Sequence, residues 1–257
     1  DPFHLEAYGK TAINYNRDVE AFPILNATFE KITGVSPYKS PTDMGVNMAG
    51  NCIIDDEICC EASRQEIIRR YYHTLCDFRL GRVEDSAVYK EELLMSQAGV
   101  SPEDRPVVKA ALDRAEDTKM PATAIQLHTG EVITGKTTSL LGASAAVLLN
   151  SLKHLAGIAH EIPLISPIII EPIQTLKTKH LGNNNPRLHT DEILIALSIC
   201  AATNPMAELA LQQLPKLSGC EAHSSVILSQ VDSSVFRKLG VNLTCEPRYQ
   251  TKKLYHK

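Results

Sequence analysis

The feature that most constrains this chain is a change of hydrophobic period near Met120-Pro121. Upstream of it, apolar residues recur at helical spacing. Downstream, two short runs rich in β-branched residues flank a Gly-containing turn. A chain that switches period once, without internal repeats or low-complexity segments, folds as a helical part followed by a part built on a sheet. We therefore expect a mixed α/β (α+β) fold. Residues 1–120 form a mainly helical part, and residues 121–257 a three-layer α/β part with a β-hairpin and a terminal β-α-β unit.

In the first part, Asn14 or Asn16 caps a helix whose apolar face is Phe22, Leu25, Phe29 and Ile32. It stops at Gly34, and Pro23 kinks it or marks its true start. A loop dense in turn formers follows, Ser36–Gly45. The pair Asp55-Asp56 caps a second helix with Ile58, Ile68, Tyr72, Leu75 and Phe78 on one face. A third helix spans roughly 84–98 and ends at Gly99. A fourth opens with Ser101-Pro102-Glu103-Asp104, a cap with Pro at the first helical position.

In the second part, Ala124–Leu127 and Glu131–Gly135 read as a hairpin about His128-Thr129-Gly130. Helices are expected from about Ser139 to Leu155 and from Ser166-Pro167 to His180. Thr190 caps a helix through Ile193–Ala202 that is apolar nearly all round, which predicts burial on most sides. Asn204-Pro205 starts another. The end reads as strand Ser225–Leu228, helix Asp232–Leu239 and strand Val241–Cys245, a parallel pair with a right-handed crossover.

Composition narrows the function classes. Lys+Arg 26 against Asp+Glu 30 gives a net charge of -4, without the basic excess of a nucleic-acid binder or of a protein held on an anionic membrane. No apolar run approaches the length of a membrane span. Seven cysteines, an odd number with no C-x-x-C pair, do not make a disulfide framework and point to a reducing cytoplasm. The chain begins Asp1-Pro2-Phe3-His4-Leu5-Glu6, without Met, signal peptide or polar leader, so we expect a segment to precede it.

Several stretches invite a chemical reading. Gly130–Thr137 (GEVITGKT) fits the phosphate-loop pattern G-x-x-x-x-G-K-[ST]. Such a loop turns successive backbone N–H groups inward and favours small residues. The interior Glu-Val-Ile-Thr is β-branched and extended, which favours the hairpin and leaves nucleotide binding as the minority alternative. Cys220 and His223 are zinc-ligand types. With parallel terminal strands, however, Cys245 lies roughly 17 Å from them, so we assign no metal ligands. Glu221 and His223, two apart in an extended chain, share a face and can form an acid–base pair, or merely a structural contact.

The polar loop Gly182–Glu192 runs into the apolar helix at its positive end. Asn184 and Arg187 are candidates for holding an anionic ligand, and His189 and Asp191 for acid–base or metal roles. The plain alternative is that Thr190 caps while Asp191 and Glu192 offset the dipole. Lys39, Asp43 and Asn47 in the first part's loop are further ligand-binding candidates. Asp232-Ser233-Ser234 is most economically a helix cap, although it follows the carboxyl end of a strand, where α/β ligands sit. No G-x-S-x-G, H-E-x-x-H or G-x-G-x-x-G is present, and nothing names a cofactor.

The stretches Asp1–Lys10, Ser36–Asn47 (SPYKSPTDMGVN), Gln65–Tyr72 (QEIIRRYY), Leu141–Ala146 (LGASAA), Asn185–Ala196 (NPRLHTDEILIA) and Gly219–Ser224 (GCEAHS) resemble one bacterial family. It is the domain of unknown function 1846, also known as uncharacterised protein family 0371, and the likeness runs from Asp1 to about Tyr249. The resemblance implies that this chain is the C-terminal half of a protein about twice as long. It also implies that a glycine-rich, Lys-containing segment lies in the other half, where any nucleotide binding would reside. Some members carry the label of ATP-dependent peptidase; no protease nucleophile, base or metal motif here supports it. The element order is also similar to deaminase-like three-layer folds. A zinc deaminase needs P-C-x-x-C, which this chain lacks beside Cys220-Glu221-Ala222.

The leading expectation is part of a cytoplasmic enzyme acting on a small polar or phosphorylated ligand, with a site between the two parts that draws on loops 39–47 and 183–192. The alternative is a non-catalytic interaction or homo-oligomerisation module with a large apolar patch on its helical part.

Overall fold

The computed structural model describes residues 16–39, 41 and 56–250. It divides into two compact units, residues 1–105 and 106–257. The division lies upstream of the change of period at 120, because the helix after Arg105 packs on the sheet and belongs with it.

The first unit contains α1 (Asn16–Thr33), α2 (Asp56–Arg79) and α3 (Asp85–Ala98). Its core gathers Val19 and Phe22 of α1, Ile67 of α2, and Leu94, Met95 and Ala98 of α3. Pro23 lies within α1 rather than at its start, so the helix does without one backbone bond there. Ile32 and Phe78, expected on buried faces, are 75% and 44% exposed. The small core is reached by the earlier turns of α1, and the last turns of α1 and α2 run past it. Gly34 (φ 81) and Gly99 (φ 63) end α1 and α3 in the left-handed conformation that favours glycine. Asp55 and most of the loop after Tyr38 lie outside the described residues.

The Ser101 cap forms, with Asp104 Oδ2 accepting from Ser101 N at 2.7 Å, but it heads only a 3₁₀ turn, Pro102–Asp104. Arg105 precedes a proline and is held extended (φ -112, ψ 97), so α4 (Pro106–Thr118) starts anew.

The second unit is built on a four-stranded sheet of order β2-β1-β3-β4, with β1 (Ala122–Gln126), β2 (Val132–Lys136), β3 (Glu221–Ser224) and β4 (Asn242–Cys245). β1 is antiparallel to β2 and β3, and β3 is parallel to β4. Strands β2, β3 and β4 therefore run the same way, and their carboxyl ends (Lys136, Ser224, Cys245) share one edge. Alternation sends Ala124 and Val132 to one face, against Val107 and Ala111 of α4. Ile125 and Ala222 go to the other face. There they join the main core with α5 (Ala143–Leu155), α7 (Thr190–Ala201) and α9 (Gln230–Lys238). The three-layer α/β expectation holds. α6 (Pro167–Thr175) and α8 (Pro205–Leu211) complete the unit, and α6 runs on as a π turn to His180.

Two expected boundaries and one expected burial change. The β3 ladder is Glu221–Ser224, not Ser225–Leu228. Ser225 N still reaches Ala122 O at 2.9 Å, but Val226 and Ile227 are buried in a bend outside the ladder, where Ile227 N donates to Arg248 O at 2.8 Å. α5 begins at Ala143 rather than Ser139. Thr138 Oγ1 accepts from Leu140 N (3.2 Å) and Leu141 N (3.0 Å), making a turn, and Leu141 bridges to Leu188 in parallel. Finally, α7 is not buried on most sides: Ile195 and Ile199 are 62% and 63% exposed. No helix of the described residues is long and apolar enough to cross a membrane.

The phosphate-loop string resolves as a hairpin. Gly135 lies in β2, and α5 crosses it so closely that an added Cβ would run into Val147 N and lie 2.6 Å from Val147 Cα. Its glycine serves helix–strand contact. Gly135→Ala is expected to destabilise the chain by about 1–3 kcal/mol through overpacking, read by urea denaturation; an unchanged midpoint would show that the helix does not sit on this strand.

Candidate functional site

The chemistry collects at the carboxyl edge of the sheet, around Asp232 in the first turn of α9. Ser229, not Asp232, is the cap: its Oγ accepts from Asp232 N at 3.1 Å and donates to Asp232 Oδ2 at 2.8 Å. Asp232 is thereby turned toward the start of α7. Its Oδ1 accepts from Thr190 N (2.9 Å) and Thr190 Oγ1 (3.0 Å), and its Oδ2 from His189 Nδ1 (2.9 Å). The cap position of α7 is His189, and Thr190 is its first helical residue, so the helix starts one place earlier than expected.

The carboxylate is 5% exposed. Burial pushes the Asp232 pKa up, but its hydrogen bonds and charge interaction with His189, then the Thr190 and Ser229 bonds, outweigh it and hold the group below the usual carboxylate value. The Asp232 hydrogen bond raises His189 above the ordinary imidazole value, against the opposing effect of burial. The His189 side chain stays 30% exposed, so the ring is oriented from within and reachable from without.

The approach to this pair is braced. Buried Lys177, from the π turn, donates to Glu192 Oε2 (2.7 Å) and Arg187 O (2.6 Å). Glu192 Oε2 also accepts from His189 N at 2.8 Å. Asn185 Oδ1 accepts from Arg187 N, and Arg187 Nε donates to Thr138 O at 2.7 Å. Leu188 is buried at its bridge to Leu141, and His189 beside it is extended (φ -84, ψ 173).

Of the sequence candidates, Arg187 and His189 flank the buried Leu188 at its bridge to Leu141. Asp191 is the second residue of α7, where its Oδ1 accepts from Glu192 N at 2.8 Å, outside the pair. Asn184 is exposed in the loop. Lys39 is exposed in the first unit, and Asp43 and Asn47 lie outside the described residues. Glu221 and His223 sit on the face that carries α4. His223 is fully buried, with Nδ1 2.8 Å from Thr244 Oγ1 and Nε2 3.3 Å from Glu246 Oε1. Glu221 accepts from Asn242 Nδ2 at 2.8 Å. These are cross-strand contacts with β4 and the residue after it, inaccessible at the histidine. Burial pushes the Cys220 thiol up, and that of Cys245 up to about 12. Among the described residues no three His, Cys, Asp or Glu side chains are grouped to hold a metal.

Asp232 is the residue that sequence reading misjudged. The signals that locate it are the Ser229-x-x-Asp232 capping spacing and its place just beyond a strand's carboxyl end. An open groove along α6, lined by Ile168, Pro172, Thr175 and Leu176 with Glu171 and His180, joins no acid to its histidine by a hydrogen bond.

The chain matches two family models, the N-terminal part of the domain of unknown function DUF1846 over residues 1–99 and its C-terminal part over residues 103–255. The expectation of a C-terminal half alone is corrected: residues of both family domains are present. A UPF0371 protein of Streptococcus uberis is 59% identical over the whole chain, and UPF0371 proteins of Streptococcus pyogenes serotypes M5 and M3 are 58% identical. The chain spans about half the length of these curated relatives, 52% of each.

The pKa shifts give the site a pH signature. His189 is raised above 6.5, so its contribution to stability is complete below that pH and is lost as pH rises through the folded-state value. Asp232 is lowered below 3.8, so its contribution is complete above that pH and is lost as pH falls through the folded-state value. The stability difference between wild type and Asp232→Asn is expected to be about 1–3 kcal/mol, largest between those two pH values. Denaturation across pH measures it, and a difference independent of pH would contradict the ionised pair.

Proposed function

This chain belongs to the DUF1846 family, and we propose that it contributes a His–Asp acid–base centre to an enzyme acting on a small polar ligand. The observation that carries this reading is the His189–Asp232 pair. The buried carboxylate fixes Nδ1 of a partly exposed imidazole, leaving Nε2 for proton transfer. Asp232 orients the ring and stabilises its charged form. Arg187, two residues earlier, supplies a fixed positive charge for binding. The setting supports the reading: the pair lies at the carboxyl edge of three like-directed strands, where α/β proteins place ligands. A cytoplasmic location is part of the same proposal.

The test is a panel of chromogenic phosphate, ester and amide substrates assayed with wild type, His189→Gln and Asp232→Asn. Turnover is expected on at least one class, with His189→Gln about 10²–10⁴-fold slower and a pH profile following the raised imidazole pKa. Turnover insensitive to His189→Gln, or absent throughout, counts against the reading.

A second reading, self-association, is favoured by exposed Ile195 and Ile199, one turn apart on α7. Light scattering after size exclusion is expected to show an oligomer that Ile199→Glu dissociates; a monomeric wild type removes this reading.

A further inference from the structure

Two helix starts meet beside His189. Leu188 N donates to Leu140 O at 2.9 Å, and Gly142 N donates to Leu188 O at 3.2 Å. This parallel bridge places Gly142, the cap of α5, next to His189, the cap of α7, about 5 Å apart as neighbouring strands lie. The two starts differ. At α7, Asp232 and Asp191 accept from the first-turn N–H groups of Thr190 and Glu192. At α5, the cap is a glycine with no side chain to accept anything, and Ala143, Ser144 and Ala145 are buried. Their N–H groups have no acceptor within the helix.

A second, independent feature lies beneath them. Thr137 is 2% exposed, and its Oγ1 has no hydrogen-bond partner. Its backbone continues the β2 ladder, with Thr137 N bonded to Pro121 O at 2.8 Å, so its side chain falls on the same face as Gly135. Gly135 lies under Val147. Two residues along the strand is about 6.6 Å, and one turn back along α5 is about 5.4 Å, which puts Thr137 under Ala143 and Ser144. The hydroxyl is therefore aimed at the uncapped helix start. Thr123 Oγ1, on the same face of β1, is likewise buried without a partner. Arg187 closes the other side. Its Nε is bonded to Thr138 O, one residue beyond Thr137, and it makes no ion pair with an acidic side chain of the described residues.

The geometry points to an oxyanion subsite at the start of α5, formed by the N–H groups of residues 143–145, Thr137 Oγ1 and the Arg187 guanidinium, that takes the phosphate group of a phosphorylated small molecule. A tetrahedral anion satisfies the orphan N–H donors and the buried hydroxyl together, and the planar guanidinium covers two of its oxygens. His189, beside the cap of α5, then stands where a proton is delivered to or taken from the atom bridging phosphate and substrate. This inference rests on the acid–base reading for its chemistry, but its binding test is separate.

The probe is inorganic phosphate, titrated into the full 257-residue chain by calorimetry and by amide NMR, with sodium chloride at matched ionic strength as control. Saturable binding is expected, with shifts concentrated at residues 143–145. Arg187→Ala is expected to weaken it at least tenfold. Thr137→Val keeps the shape and removes the hydroxyl. It is expected to weaken phosphate binding severalfold while the thermal midpoint without phosphate stays the same or rises, an outcome that a structural hydroxyl would reverse. Binding no stronger than chloride, or equal binding by Arg187→Ala and wild type, overturns the subsite. If phosphate fails to bind while the His189 titration remains raised and falls on Asp232→Asn, only this inference is lost. If phosphate binds and His189 titrates as a free imidazole, only the acid–base reading is lost.

Discussion

A carboxylate taken out of water must be given donors in place of the water it loses, at a cost of several kcal/mol otherwise. Asp232 is the point where this chain meets that requirement. Its donors come from two segments: Ser229 at the start of its own helix, and His189 and Thr190, more than forty residues earlier, at the start of another. Meeting them together fixes where α9 begins and how α7 enters the core, and it decides which histidine nitrogen faces outward. The bracing of loop 183–189 by Lys177 and Glu192 follows from the same demand, because His189 must be held in position for Asp232 to remain satisfied.

That arrangement also sets the electrostatics of the sheet's carboxyl edge. Helices α5, α7 and α9 all start there, and each brings partial positive charge from its unsatisfied N–H groups. Asp232 and Asp191 answer the charge at α7, and Ser229 accepts at α9. At α5, no side chain of the cap does so. Lys177, the other cation near the loop, is consumed by its bonds to Glu192 and to the Arg187 carbonyl. The start of α5 and the Arg187 guanidinium each add positive character near a protonatable imidazole.

What could be read from sequence was local. Helix stops at Gly34 and Gly99, the hairpin about Gly130 and the start of α6 at Pro167 depend on residues that set their own backbone conformation. The readings that failed depend on partners elsewhere in the chain. Val226 and Ile227 look like strand because they are apolar and β-branched, yet the ladder to β1 begins at Gln126 and is exhausted at Ser224. The start of α5 was placed early because nothing in residues 139–142 reveals that Leu141 is taken by Leu188. A helix apolar nearly all round predicts burial on most sides of α7, and no pattern within it distinguishes burial by this chain from the face that Ile195 and Ile199 leave open. At the site, Arg187 and His189 were visible as a polar loop entering an apolar helix. The carboxylate that organises them lies 43 residues away and was legible only as a cap.

Two histidines of the second unit, His189 and His223, show why residue type alone does not locate function. His223 and His189 each have a carboxylate near one ring nitrogen, Glu246 in one case and Asp232 in the other. His223 points from the middle of a sheet into the layer beneath α4 and is fully buried, so its polar neighbours hold a strand pair together. His189 stands at a helix start on the open edge, and its carboxylate comes from behind. The depth of the acid, not that of the base, makes the difference: an acid buried behind an accessible imidazole fixes the tautomer and raises the pKa while leaving the second nitrogen in reach of a ligand. Only topology provides that combination here, because it requires a strand end, a capped helix and a second helix start to arrive at one edge.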